Sequence, residues 1–479
     1  MSPFKLIVVS IAGLAVAGVA TVLIVGYENL PLRRQAAAPA PTPTIVPASA
    51  TAPPSSNAAS SNAGSSTSST ASPAPLDAAA VQAAYEACVQ GAFPTRADAY
   101  PRAAACSRAL GSRQLKPDEV ALARLTRGIA RVALGDKVVA SEDYLEAIKH
   151  YDSLINPANP DALNLFRRAA ALDAIGETDK ALADYSEAIK ADPDASLAFL
   201  NRGILLATRK RSYDRAIQDF DRVLVLVPDN VEALISRGDA FTHLGDFGRG
   251  MADLDRAIAL SPQNAYAHLV RGLAYARRGD AQAAMSDYDT TLKYDPRNVY
   301  ALVNRAALYS LDRKPDLALK DLDQAILIDP TYARAFYNRG YVRFMQKSYD
   351  KAIDDYSAAI ALDPEMGLAY NNRGLTRAIV GHDLKQALDD SDRALKLMPT
   401  NLDVRDTRAF IYLKLGEPTE ALKEYNDALD IDPNRAISLY GRGLAKIRAG
   451  DPAGGKADQA AAETLYPEVA QQFSMYGLD

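Results

Sequence analysis

Residues 331–364 read TYARAFYNRGYVRFMQKSYDKAIDDYSAAIALDP, and three features of the stretch decide the fold. A small residue, Gly340, comes first. Ala352 follows, with Tyr356 four positions on, and Pro364 closes the stretch. Residues four apart share one face of a helix, and proline cannot continue one. The stretch therefore reads as two helices packed as a hairpin, with Gly340 letting the first approach the second.

Reading outward in both directions, the closing proline recurs at Pro193, Pro228, Pro262, Pro296, Pro330, Pro364, Pro399 and Pro433, always 34 or 35 residues apart. The small residue recurs with it, for example at Gly272, Ala306, Gly374 and Ala409. So does the Ala of the second helix, at Ala284, Ala318, Ala387 and Ala421. Four residues beyond it stands a large side chain such as Tyr288, Leu322 or Tyr425, a pattern only Ser391 breaks. Eight units in register span 162–435.

The period and the small-residue columns resemble the tetratricopeptide repeat. The Trp that usually opens the repeat is replaced by residues such as Phe199, Phe336 and Tyr370. The resemblance, which extends to bacterial envelope-anchored members, implies an all-α, right-handed solenoid of helical hairpins. It also implies that the first helices line a concave surface that takes extended or helical peptides. Residues 77–161 read as capping helices and one degenerate repeat, opened by Arg127-Gly128 and stretched by extra residues around 137–143. Residues 436–479 begin a last unit with Arg442-Gly443 and finish with a polar capping helix.

Immediately before each small residue stands Arg, and sixteen or seventeen residues later an acid. The central pairs are Arg237 with Asp253, Arg271 with Asp287, Arg305 with Asp321, and Arg339 with Asp355. A charge packed between helices must be paired, because desolvation costs several kcal/mol. Two antiparallel helices bring such residues opposite each other, so the column reads as a structural ion-pair ladder. The alternative, a basic groove for acidic ligands, is disfavoured because a binding site is local and this column is not.

Opposite that column, Arg334, Tyr337, Asn338 and Tyr341 recur at three- and four-residue spacing, and neighbouring units add Tyr300, Asn304, Asn371 and Asn372. Asn offers both a donor and an acceptor to a peptide backbone. Tyr gives broad contact at small entropic cost. These eight residues are the candidate partner site. The Lys and Asn clamp by which some members of the family hold a double carboxylate is not matched, since Lys enters the first-helix groove positions only at Lys414.

The chain has no Trp and a formal charge of −5. Lys5, Arg33 and Arg34 against Glu28 give residues 1–76 a charge of +2, leaving −7 for the remainder. That acidic body is a poor footprint for nucleic acid. Residues 6–26 are uncharged, and at about 1.5 Å rise per residue they match the roughly 30 Å core of a bilayer. Region 1–34 is accordingly expected to be an uncleaved single-pass anchor. Region 35–76 follows as a disordered tether, because Ala, Pro, Ser and Thr fill 36–75 almost entirely and cannot build a core.

Cys88 and Cys106 are the only cysteines. Each lies at a similar distance from a turn around 91–98, so a hairpin would bring them within bridging range. A bridge would place the repeats in an oxidising compartment, which points to the bacterial inner membrane with the repeats in the periplasm.

Nothing catalytic competes for these residues. Residues 450–457, GDPAGGKA, have P-loop spacing but join two repeat helices instead of following a strand. The four histidines are scattered. The expected function is a non-catalytic, membrane-tethered scaffold that binds protein or peptide partners and needs no cofactor or metal. A mitochondrial-import-receptor-like or chaperone-like adaptor is the alternative, and a targeting subunit for an enzyme bound in trans is a further one.

Overall fold

A computed structural model describes residues 77–89, 96–156, 158–381 and 383–478. The expected anchor at 6–26 and tether at 35–76 lie outside them. Among the described residues there are 23 helices and no strand. None of these helices is long and apolar enough to cross a membrane. Two compact units divide between Pro228 and Asp229.

The first unit contains α1 (Ala78–Val89), α2 (Arg96–Gly111), α3 (Pro117–Leu134), α4 (Lys137–Leu154), α5 (Ala162–Ala174), α6 (Thr178–Ala191), α7 (Ser196–Thr208) and α8 (Tyr213–Leu226). The extra residues around 137–143 do not form a loop. They open α4, and both α3 and α4 run to 18 residues, against 13 and 14 for α5 and α6. The turn between α3 and α4 stays tight because Gly135 takes a φ of 95°, a left-handed conformation open to glycine. Cys88 and Cys106 meet in a buried cluster with Ala105 and Ala123, and a disulfide joins α1 to α2 with Cα atoms 4.7 Å apart.

The second unit runs α9 (Val231–His243), α10 (Phe247–Leu260), α11 (Ala265–Arg278), α12 (Ala281–Tyr294), α13 (Val299–Leu311), α14 (Pro315–Ile328), α15 (Ala333–Met345), α16 (Tyr349–Leu362), α17 (Gly367–Val380), α18 (Leu384–Leu397), α19 (Leu402–Leu415), α20 (Pro418–Ile431), α21 (Ala436–Arg448), α22 (Pro452–Leu465) and α23 (Val469–Met475).

One hairpin shows why the pattern folds this way. Ala352, Tyr356 and Ala359 line the buried face of α16. A Cβ on Gly340 would stand 2.9 Å from the Tyr356 ring, so only glycine lets α15 come this close. Proline ends the second helix as the sequence requires, since the Asp363 N–H makes the last bond, to Ala359 O, before Pro364. The next first helix often starts on Asn. Asn230, Asn298 and Asn401 cap α9, α13 and α19 with side-chain oxygens that accept from backbone N–H groups, each worth about 1 kcal/mol.

First helices also touch across hairpins: α9 meets α11, α13 meets α15, and α15, α17, α19 and α21 follow in sequence. They form one layer, and the second helices lie behind it. The end of the chain departs from the expected polar cap, because α23 buries Val469 and Phe473 completely.

Candidate functional site: the first-helix layer

The Arg column sits at the seam between layers. Arg305 donates from Nε and Nη2 to both oxygens of Asp321 at 2.7 and 2.8 Å. Arg237, Arg271 and Arg339 grip Asp253, Asp287 and Asp355 with the same two atoms at 2.7 to 3.2 Å. Such bidentate forks are strong and directional. Burial opposes ionisation of Asp287, yet hydrogen bonds from Arg271 and His268 outweigh it and hold the carboxyl below its ordinary range. Hydrogen bonding to Asp321 holds the Arg305 guanidinium above its ordinary value.

A second arm of the ladder goes beyond the expected pairing. Arg271, Arg305 and Arg339 each extend Nη1 to Asp255, Asp289 and Asp323 of the preceding hairpin, at 2.7 Å in every case. Each Arg thus ties two consecutive second helices together. The signal was present as a polar residue two places after each acid, as in Asp287-Tyr288-Asp289 or Asp355-Tyr356-Ser357. Charge so evenly committed leaves no free basic groove along this seam.

The Tyr/Asn candidates require a correction. Tyr337, Asn338, Asn371 and Asn372 are buried, and so is Asn304. They pack between first helices instead of lying open as a binding floor. Asn372 Nδ2 donates to the Tyr337 hydroxyl at 3.0 Å, and Asn371 Nδ2 donates to Asn372 Oδ1 at 3.3 Å. Asn304 turns back on its own helix, its Nδ2 donating to Tyr300 O one helical turn earlier at 2.8 Å. The spacing identified one face of each first helix but not what covers it: Asn372 reaches back to α15 of the preceding hairpin, and Asn304 bonds its own helix.

Tyr337 stacks on Tyr356 with centroids 5.8 Å apart, which makes it part of the core. Tyr300 packs edge-on against Tyr332, and Tyr341 is almost covered.

Several polar atoms of this layer stand apart from the general pairing, Arg277 Nε on α11 and Arg405 Nε and Thr407 Oγ1 on α19 among them. Arg334 Nη1 and Asn371 Oδ1 are buried with no hydrogen-bond partner among the described residues. Leaving such a group unsatisfied costs about 1–3 kcal/mol. One is a donor and the other an acceptor, the two functions of a peptide group.

Sequence reading missed the polar cluster on α19. Asp406 is fully buried, accepting from Arg435 Nε at 2.6 Å and from Ser438 Oγ at 2.5 Å, while Arg435 also pairs with Asp403. Burial pushes the Asp406 carboxyl up to about 6, against the pull of Arg435 and Ser438. Asp406 falls outside the repeated Arg–acid columns, so periodicity gave no reason to single it out.

The GDPAGGKA segment has a packing role. Asp451 caps α22 by accepting from Gly454 N, and a Cβ on Gly455 would stand 2.5 Å from Gly443 O. The glycines allow α21 and α22 to touch.

Family profiles described as "Tetratricopeptide repeat" match 166–231, 204–272 and 333–366, and one described as "TPR repeat" matches 409–450. The small glutamine-rich tetratricopeptide repeat-containing protein 2 of Mycosarcoma maydis is 33% identical over 100 residues, 20% of this chain and 28% of that protein. The Hsp70-Hsp90 organizing protein of Triticum aestivum is 29% identical over 100 residues, 21% of this chain and 17% of that protein. The chain therefore spans less than a third of either relative's length. Among solved structures, a tetratricopeptide repeat protein from Parabacteroides merdae aligns with a TM-score of 0.42 and 21% identity, over 54% of this chain and 99% of that one.

Proposed function

We propose that this chain, a tetratricopeptide-repeat protein, is a non-catalytic scaffold that holds a protein or peptide partner on the first-helix layer of its second unit. The observation that carries this reading is the pair of buried, unpartnered atoms on adjacent first helices, Arg334 Nη1 and Asn371 Oδ1. Both atoms are covered in the free chain, so a peptide group that accepts from one and donates to the other enters by parting α15 from α17. The test is crosslinking capture with the full chain and with its Arg334→Met/Asn371→Leu variant. Partners enriched by the wild type and lost from a folded variant support the site; identical capture overturns it.

We further propose that residues 6–26 tether the chain to a bacterial inner membrane, with the repeats on the periplasmic side. The length of the uncharged run and the pairing of Cys88 with Cys106 support this reading. N-terminal sequencing of the mature protein tests the tether, since a start near Thr21 would exclude it. A chaperone-adaptor reading draws on the likeness to the wheat protein, but the near absence of Lys from the first-helix groove weighs against carboxylate capture.

A further inference from the structure

The chain end does not extend the stack. A helix that merely added another layer would rest on the last hairpin, α21 and α22. Helix α23 does touch both, and Phe473 lies on Tyr440 of α21 with centroids 5.0 Å apart. It also reaches back along the first-helix layer. Phe473 and Tyr476 both pack on Phe410 of α19, at 6.4 and 6.2 Å, and Lys414 Nζ donates to Gly477 O at 3.4 Å. Further back, Tyr341 of α15 lies within electrostatic reach of Tyr476, burial pushing both phenols up to about 12. Segment 469–478 thus runs antiparallel to the order of the hairpins, across α21 and α19 toward α15.

The anchors have the spacing of a helix laid in a groove. Val469, Phe473 and Tyr476 stand at i, i+4 and i+7, and Leu478 follows. Val469, Phe473 and Leu478 are buried, while Ser474 and Met475 on the other side face solvent. A helix of 7 residues is too short to hold itself together in water, so its order comes from the seat. The seat is built by residues of the hairpins, namely Phe410, Lys414 and Tyr440.

We propose that this stretch of the first-helix layer is a docking site for a short amphipathic helix with Val, Phe, Tyr and Leu at the spacing of 469–478. The chain's own tail fills the site, and a partner helix of the same spacing binds by displacing it. This rests on the reading of the first-helix layer as the partner surface, and it names the partner's chemistry.

The probe is a fluorescent peptide of sequence YPEVAQQFSMYGLD, residues 466–479, titrated into the full chain. A filled site lowers apparent affinity by the fraction of molecules with the tail released. The Phe473→Ala/Tyr476→Ala variant is expected to bind the peptide at least tenfold more tightly than the wild type. A peptide with both aromatics replaced by Ala should bind neither. Equal affinity for both proteins, or no binding to either, overturns the proposal. Should the double variant lose helicity, Tyr476→Ala alone carries the test, because that ring lies outside the hairpins. Hydrogen exchange of the wild type gives a second readout: amides of α23 should exchange at least tenfold faster than those of α21. Equal protection would make the tail a fixed part of the stack and also overturn the proposal. Loss of peptide competition with retained Arg334/Asn371 dependence would remove this inference alone. The reverse result would remove the Arg334/Asn371 site and leave tail docking in place.

Discussion

Arg305 and Asp321 stand sixteen residues apart in sequence and share two parallel hydrogen bonds of 2.7 and 2.8 Å. The acid is almost fully covered, with 5% of its side chain exposed, whereas the second partner of Arg305, Asp289, is 54% exposed. The two arms should therefore differ in weight. Removing Arg305 leaves Asp321 as an uncompensated buried charge, and Arg305→Ala should cost roughly 3–5 kcal/mol. Asp289→Ala, which breaks only an exposed pair, should cost less than about 1 kcal/mol. Urea denaturation followed by circular dichroism measures both. Similar losses for the two variants would mean that the inter-hairpin arm is the important one.

Tyr337 is expected to behave as a core residue. Its ring is 2% exposed and its hydroxyl accepts from Asn372. Tyr337→Ala should cost about 3–5 kcal/mol, the usual range for an aromatic truncated in a core. Tyr337→Phe removes only one neutral hydrogen bond and should cost about 0.5–1.5 kcal/mol. Thermal melts of the two variants separate these effects. A Tyr337→Ala protein that melts like the wild type would restore this residue to the binding surface.

The contrast between Arg305 and Tyr337 shows where sequence was legible. A charge in every repeat at one position, with an acid at a fixed offset, has one inexpensive solution, and periodicity displays it. The hairpins followed from the same columns. Tyr337 failed for a different reason. Position within a first helix fixes a direction, but whether that direction meets solvent depends on how near the neighbouring first helix packs, and α15 and α17 lie close enough for Asn372 to bond the Tyr337 hydroxyl. Segment 469–478 was opaque for a third reason. It occurs once, so no column shows its apolar spacing, and its partners Phe410 and Tyr440 are set by where the chain turns back.

Asp406 should give the second unit a pH dependence opposite in sign to that of the ladder. Its folded carboxyl titrates at about 6 against an ordinary 3.8. The folded state thus binds the proton more tightly, so the contribution of Asp406 is greatest below pH 4 and is lost as pH rises through about 6. Over two units this amounts to roughly 3 kcal/mol at most. Asp287, held low, acts the other way: its contribution is present above its ordinary value and is lost as pH falls below about 4. The stability difference between wild type and Asp406→Asn isolates the first effect. It should shift in favour of the variant between pH 4 and 6.5 and then level off. A difference that stays constant across that window would show that Asp406 ionises like an exposed carboxylate.

Cys88 and Cys106 close a loop of 18 residues at the start of the first unit. Constraining the unfolded chain over that length should stabilise the helices it joins by about 3 kcal/mol. The effect should be local, because α1 packs chiefly on α2 and α3. Cys88→Ser/Cys106→Ser is therefore expected to raise hydrogen exchange in α1 and α2 while leaving α21 unchanged. The same pair reports on location. Disulfides persist in oxidising compartments, so a protein isolated from its native cells with thiols blocked at lysis should show no free thiol after unfolding without reductant. Two free thiols in that titration would remove the bridge. They would also remove the support that the bridge lends to the proposed periplasmic position.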